Sequence, residues 1–342
     1  MKKTAVVVCP GRGTYNKAEL GSIYRLHGEK LALIQQFDQV RSQLELASIS
    51  ELDQQTHYSS RLHQKAENAA GLIFAAGVLD YQSIDQDNYD IVAITGNSMG
   101  WYTALCCGGS WQPEAAMQHV IHMARLTATA AGAQCIYPVV NDNWQPDAAR
   151  LAAVKAVLAA YPDELFESIQ FGGYAVLAGT ETAVKAAMQQ LPKVDERFPL
   201  LLPGHAGFHS PLMHDAAQQA LLDIPAQAFD RPERPLIDGC GHIWQPFATE
   251  AAALQRYTLD RQVQGHYHFS LALEVALKEY VPDHLILLGP GSGLGGAVAQ
   301  TLIRINWRGL ASKHDFMQQQ ASSQPLVLSM AIPEQRALVM PS

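Results

Sequence analysis

Apolar positions along this chain alternate between two periodicities from its first residues onward. Residues 5–9 are an unbroken β-branched and apolar run stopped by Pro10-Gly11, the pattern of a buried strand feeding a loop at Gly11 to Gly13. Over 24–46 and again over 59–79 the apolar residues recur at helical spacing. The segment Ala69-Ala70-Gly71-Leu72-Ile73-Phe74-Ala75-Ala76 predicts a helix buried on most sides. Residues 90–95 read as a second buried strand, ending in Gly96-Asn97-Ser98-Met99-Gly100, and helical spacing resumes over 101–107. Strand, tight glycine turn and helix in that order predict an α/β fold with a mostly parallel sheet.

The middle of the chain changes rhythm. Strand-like 135–140, helix-like 146–161, strand-like 174–178, helix-like 182–191 and strand-like 198–202 give an order close to βαβαβ. That order predicts a small α+β subdomain inserted over residues 132–200. Beyond it, 211–222 and 268–280 read as helices, and 284–288 as a third buried strand before a glycine-rich turn. Periodicity is weak over 311–342, which predicts a peripheral C-terminal tail. No internal repeat or low-complexity tract interrupts the pattern.

Composition narrows the function classes. The chain has 342 residues, 48% hydrophobic and 16% charged, enough to bury a core without disulfides or metals. Its 24 Lys and Arg against 32 Asp and Glu leave a net charge of −8, so no global positive field favours nucleic acid. The five cysteines form no C-x-x-C pair, and Cys106-Cys107 sit inside an apolar stretch, so they read as reduced cytoplasmic thiols. Lys2-Lys3 before an apolar run begins like a signal peptide, but Pro10-Gly11 breaks that run early. No later segment approaches the ~20 apolar residues of a membrane span. A cytoplasmic protein without a membrane partner is expected.

The candidate chemistry starts at Gly96-Asn97-Ser98-Met99-Gly100, which fits G-x-S-x-G with a strand before it and a helix after it. Glycines two residues either side leave room for a serine held on a strained strand-to-helix turn, its hydroxyl lifted clear of the sheet. The alternative is a glycine turn whose serine caps a helix. A serine hydroxyl needs a base to take its proton. Among 13 histidines, His209 stands apart, in a loop after a strand and just before a helix, within Gly207-Phe208-His209-Ser210-Pro211. His205 and His209 also have H-x3-H spacing, but Gly207 lies between them and no H-E-x-x-H framework or cysteine pair accompanies them. A zinc site is the weaker reading.

Four segments together resemble the malonyl-CoA:acyl carrier protein transacylases and the acyltransferase domains of polyketide synthases. Cys9-Pro10-Gly11-Arg12-Gly13 resembles the family's F-P-G-Q-G, and Gly96 to Gly100 its G-H-S-L-G. Gly207 to Met213 resembles A-F-H-S-P-L-M, and Leu288-Gly289-Pro290-Gly291 resembles V-G-P-G. They occur in the family's order over about residues 5–305. The resemblance implies an α/β-hydrolase-like catalytic subdomain with a parallel sheet over 1–131 and 201–310, and a ferredoxin-like insertion over 132–200. It implies Ser98 as nucleophile toward an acyl-CoA thioester and His209 as general base, with no permanently bound cofactor. The phosphopantetheine thiol of an acyl carrier protein would be the acceptor. It further implies an oxyanion hole of the backbone N–H groups of Met99 and Arg12, and a histidine oriented by the main-chain carbonyl of Gln262, with Phe269 in place of the family's tryptophan.

Departures from the family pattern bear on the acyl group. Malonyl-specific members hold the substrate carboxylate with an arginine on the helix after the elbow, a position that falls on Met123 here. Arg125 lies two residues on, about 200° around a helix. A thioether cannot pair a carboxylate, so the simplest expectation is an acyl group without one, acetyl or a longer simple chain. The other reading is that Arg12 supplies the positive group from the opposite wall. Asn97 stands where the family has histidine, and Trp101 follows the elbow glycine, either lining the mouth or packing in the core. Phe208 resembles the malonyl or acetyl type rather than the α-branched type. The run Gly291-Ser292-Gly293-Leu294-Gly295-Gly296 fits G-x-G-x-x-G with Asp315 further on. It comes too late in the chain to open a dinucleotide half, and reads as a tight-packing loop. The leading expectation is a transacylase of fatty-acid or polyketide assembly. Acyl hydrolysis from carrier proteins is the second, and a docking scaffold with decayed chemistry the third.

Overall fold

The computed structural model describes residues 2–341. In chain order the strands are β1 (Lys3–Cys9), β2 (Tyr89–Gly96), β3 (Ala133–Pro138), β4 (Leu165–Phe171), β5 (Tyr174–Gly179), β6 (Leu200–Leu201), β7 (Leu236–Ile237), β8 (Ile243–Trp244), β9 (His284–Leu287) and β10 (Val327–Ser329). They form two sheets, in spatial order β10-β9-β1-β2-β7-β8 and β4-β5-β3-β6.

β1 lies in the middle of the larger sheet because its five residues from Ala5 to Cys9 are apolar on both faces, and all five are fully buried. A strand covered on both sides belongs inside a parallel sheet flanked by helices. It pairs in parallel with β2 and β9, and β9 in turn with β10. One face packs on the helix Ala66–Tyr81, whose residues from Glu67 to Asp80 are all buried, as its apolar composition predicts. The other packs on Phe269–Tyr280 and Leu294–Arg304. The loops after β1, β2 and β9 gather at the carboxyl edge of this sheet, where α/β folds place their ligands.

The smaller sheet is antiparallel throughout, with the helices Ala148–Ala160 and Glu181–Gln190 contributing to a core of its own. Its chain order is strand, helix, two strands, helix, strand, which is the ferredoxin-like order. β4 is the strand that periodicity missed. Its polar residues Glu167, Ser168 and Gln170 and a register shift between Glu167 and Ile169 break the alternation on which a strand is recognised. The expected strand over 198–202 shrinks to Leu200–Leu201, both exposed at the sheet edge.

Two further expectations need correction. The helix expected over 24–46 is interrupted: Ser22–His27 gives way to a 3₁₀ turn at Gly28–Lys30 before Leu31–Gln43. The tail expected over 311–342 is not peripheral. β10 completes the sheet, and Leu326, Leu328, Met330 and Val339 are buried. Arg336 is buried as well and donates to Asp80, which also contacts His27 Nε2 at 3.1 Å and accepts the Gly289 N–H at 2.6 Å. A three-residue strand carries no readable periodicity, and the place of this segment depends on β9 and on Asp80, the latter 256 residues before Arg336. Among the described residues no helix is long and apolar enough to cross a membrane.

Candidate active site

Ser98 sits on the turn between β2 and the helix Gly100–Cys107 with φ of 54°, a left-handed conformation that a non-glycine residue adopts only where its surroundings impose it. The flanking glycines make the turn possible. A Cβ on Gly96 would lie 2.3 Å from the Gly100 carbonyl, and one on Gly100 would lie 2.3 Å from the Cys9 carbonyl oxygen. β1 and the elbow are therefore in backbone contact, which brings the Gly11 to Gly13 loop beside Ser98.

His209 also has positive φ, 55°. Its Nε2 lies 2.7 Å from Ser98 Oγ, and its Nδ1 lies 2.7 Å from the Gln262 main-chain oxygen. That oxygen only accepts, so Nδ1 carries the hydrogen and the Nε2 lone pair faces the serine hydroxyl. Burial pushes the imidazole pKa down to about 4, against the opposing pull of the Gln262 carbonyl, so the ring is neutral at pH 7 and able to take a proton. The smaller sheet holds the histidine loop: the Phe208 carbonyl accepts from Ser168 Oγ at 2.7 Å and from Gln134 Nε2 at 3.2 Å. Gln134 Oε1 in turn accepts from His205 Nδ1 at 2.8 Å, and burial lowers the His205 pKa to about 3. His205 and His209 thus bond to different partners.

Two cavities flank Ser98. The first, of about 60 Å³, is lined by Ala70, Met99, Tyr102, Val120, Met123, Ala124, Thr127 and Val263 together with Arg12, Ser98, Phe208, His209 and Gln262. The second, of about 270 Å³, runs toward the smaller sheet between the Gly11 to Thr14 loop, Asn97, His205, Leu202 and Leu294. Arg12, Ser98 and Phe208 line both. The Arg12 guanidinium stacks over the Phe208 ring at 5.3 Å, and burial lowers its pKa. No carboxylate lines either cavity, and among the described residues Arg12 forms no ion pair. The backbone N–H groups of Arg12 and Met99 likewise donate to no backbone carbonyl among the described residues.

The remaining expected residues divide. Met123 is 1% exposed and lines the first cavity, with Phe208 as a wall, whereas Arg125 is exposed and lines neither cavity. Asn97 faces the second cavity, and its Oδ1 is buried without a partner. Trp101 does not line the mouth. It is fully buried, donates its indole N–H to Thr258 Oγ1 at 2.9 Å and meets Tyr257 edge-on at 5.4 Å. The Ala/Leu-rich helix face that carries Trp101 turns into the core, which removes it from the substrate residues. The glycine-rich run after β9 packs on the Arg12 loop: a Cβ on Gly291 would lie 2.6 Å from the Thr14 carbonyl.

Sequence reasoning missed several side chains that bear on the site. Tyr267 packs on His209, ring centroids 5.3 Å apart, and donates its hydroxyl to the Gly96 carbonyl. Tyr102 donates to Gln262 Oε1 at 3.2 Å, and Gln262 is preceded by a π-helical turn over Tyr257–Arg261. Tyr102 stands one helical turn after Ser98, a spacing visible in the sequence. The roles of Gln134, Ser168 and Tyr267 depend on contacts across the fold, and nothing local marks them.

No family model matches the chain. A polyketide synthase of Mycobacterium marinum, the phenolphthiocerol synthesis polyketide synthase type I Pks15/1, is 26% identical over 308 residues. The match covers 88% of this chain and 14% of that much longer protein. Among solved structures, the acyl-carrier-protein S-malonyltransferase of Burkholderia pseudomallei superposes with a TM-score of 0.73 at 18% identity, covering 99% of both chains. The malonyl-CoA:ACP transacylase of Synechocystis gives 0.72 at 18% identity, covering 88% of this chain and 94% of that one. A malonyl-transacylase in complex with a holo type II polyketide acyl carrier protein gives 0.70 at 22%, covering 88% and 93%. The fold is therefore that of the malonyl-CoA:acyl carrier protein transacylases, an α/β architecture with a parallel-rich sheet.

Proposed function

We propose that this chain is an acyltransferase that takes an acyl group from coenzyme A onto Ser98 and delivers it to the phosphopantetheine thiol of an acyl carrier protein. The observation that carries this reading is the Ser98 Oγ to His209 Nε2 distance of 2.7 Å, with burial keeping the imidazole neutral and the Gln262 carbonyl fixing its tautomer. As Ser98 Oγ attacks the thioester carbonyl, His209 takes its proton, and the tetrahedral oxyanion falls to the N–H groups of Arg12 and Met99. Collapse breaks the C–S bond, and the departing CoA sulfur takes the proton from His209. The carrier thiol then gives its proton to His209, attacks the acyl-serine, and Ser98 leaves with that proton restored. The carrier partner is supported by the related transacylase solved with a holo carrier protein.

The acyl group we propose is short and lacks a free carboxylate. Met123 lines the first cavity where a carboxylate would need a cation, and at about 60 Å³ that cavity is small. One observation favours a second reading: Arg12 lines the same cavity without a partner, and a malonyl carboxylate would supply one. Intact-mass spectrometry with acetyl-CoA, malonyl-CoA and a holo carrier protein tests the proposal. An acetyl adduct on wild type, absent in Ser98→Ala and passed to the carrier, is the expected result. Free acid with an unloaded carrier would make the chain a hydrolase on the same Ser-His pair, and an adduct that persists in Ser98→Ala would remove Ser98 from the chemistry.

A further inference from the structure

We infer that Tyr102 and the side chain of Gln262 form a brace that sets the spacing of nucleophile and base, making both positioning residues; the inference rests on the acyl-transfer reading above. Gln262 touches both halves of the pair. Its main-chain oxygen accepts from His209 at 2.7 Å, and its side-chain Nε2 donates to the Ser98 carbonyl at 3.0 Å. That carbonyl also accepts the Trp101 N–H at 3.0 Å and has no hydrogen to give, so the amide nitrogen must face it. The amide oxygen is left for the Tyr102 hydroxyl, which donates to it at 3.2 Å. Tyr102 is itself fixed: it is 7% exposed and stacks on Trp111 with centroids 5.9 Å apart.

The bonds close a circuit from Ser98 Oγ through His209 and Gln262 back to the Ser98 carbonyl. It joins chain segments separated by 111 and 53 residues. Both working residues hold positive φ, and such conformations persist where several contacts over-determine them. The brace is one of those contacts. Because every residue at position 262 retains the main-chain carbonyl, substituting its side chain isolates the brace from the orientation of His209.

The test measures the rate of acyl-serine formation from acetyl-CoA by rapid quench and intact mass over pH 5–8, with circular dichroism and thermal melts to establish folding. Gln262→Leu is expected to lower the saturating rate about 10- to 100-fold while leaving the half-saturating acetyl-CoA concentration within a few-fold. Tyr102→Phe is expected to lower it about 3- to 10-fold. Gln262→Glu gives a signature that loss of packing would not produce. Its carboxylate opposes the Ser98 carbonyl at high pH, whereas the protonated acid donates to that carbonyl and accepts from Tyr102. The rate of this variant should rise as pH falls, while wild type stays flat. The titratable groups around that carboxyl are His209 and Tyr102, with Tyr267 and His266 beyond the histidine and Arg12 across the cavity. Wild-type rates in folded Gln262→Leu and Tyr102→Phe, or a slow pH-independent Gln262→Glu, would overturn the brace. If Gln262→Leu does not fold, the other two variants decide. Absence of any adduct on wild type would instead overturn the acyl-transfer reading, and the brace with it.

Discussion

Met123→Arg is expected to shift acyl selection toward a carboxylated substrate. Met123 is 1% exposed, in a cavity it shares with Val120, Ala124, Tyr102 and Phe208, and no carboxylate lines that cavity. A guanidinium placed there has no counter-charge in the free protein, so the variant should lose about 3 kcal/mol of stability. A malonyl group brings the missing partner. Two charge-assisted hydrogen bonds at about 1.5–3 kcal/mol each, less the desolvation of both ions, leave about 2–3 kcal/mol net. At 1.36 kcal/mol per tenfold, that raises the malonyl-to-acetyl ratio of kcat/KM about 30- to 150-fold. The assay compares acyl-serine formation from both thioesters in wild type and variant, and melts the variant with and without malonyl-CoA. An unchanged ratio in a folded variant would refute the placement of Met123 against the acyl group. Wild type preferring malonyl-CoA would refute the proposed acyl class, and loss of that preference in Arg12→Gln would assign the carboxylate to Arg12, whose main-chain N–H, the proposed oxyanion donor, survives the substitution.

Two other predictions follow from the geometry. His209 titrates at about 4 in the folded chain against an unfolded value of about 6.5, and His119 and His268 at about 4 and His205 at about 3 are depressed by burial in the same direction. The unfolded chain therefore binds more protons between those values, so stability is full above about pH 6.5 and falls as pH drops toward 4; a urea midpoint that holds constant from pH 7 to 4.5 would contradict this. Gly100→Ala should cost several kcal/mol or prevent folding, because its Cβ would meet the Cys9 carbonyl oxygen at 2.3 Å and both are backbone atoms in the core; an unchanged melting temperature would show that the elbow and β1 are not in contact.

Local pattern carried much of this protein. The apolar runs of β1, β2 and β9 and the all-round apolar helix Ala66–Tyr81 are legible because each segment's burial is a property of its own residues. The elbow at Ser98 is legible for the same reason, since strand, glycine, serine, glycine and helix are contiguous and the steric demand is local. His209 stood out by its loop position just before a helix, and resemblance to ordered motifs then pointed to the Gln262 carbonyl, 164 residues beyond Ser98.

Tertiary structure decided the rest. Trp101 belongs to the core because its helix face turns toward Tyr257 and Thr258, and residues 327–339 are integral because β9 offers an open edge and Asp80 a buried charge. Gln134 and Ser168 hold the histidine loop, and Tyr102 meets Gln262, through contacts with no counterpart in local periodicity. Periodicity reports whether a face is buried, because burial is a sum over many neighbours. It does not report which single donor meets which acceptor, because that depends on where distant segments cross.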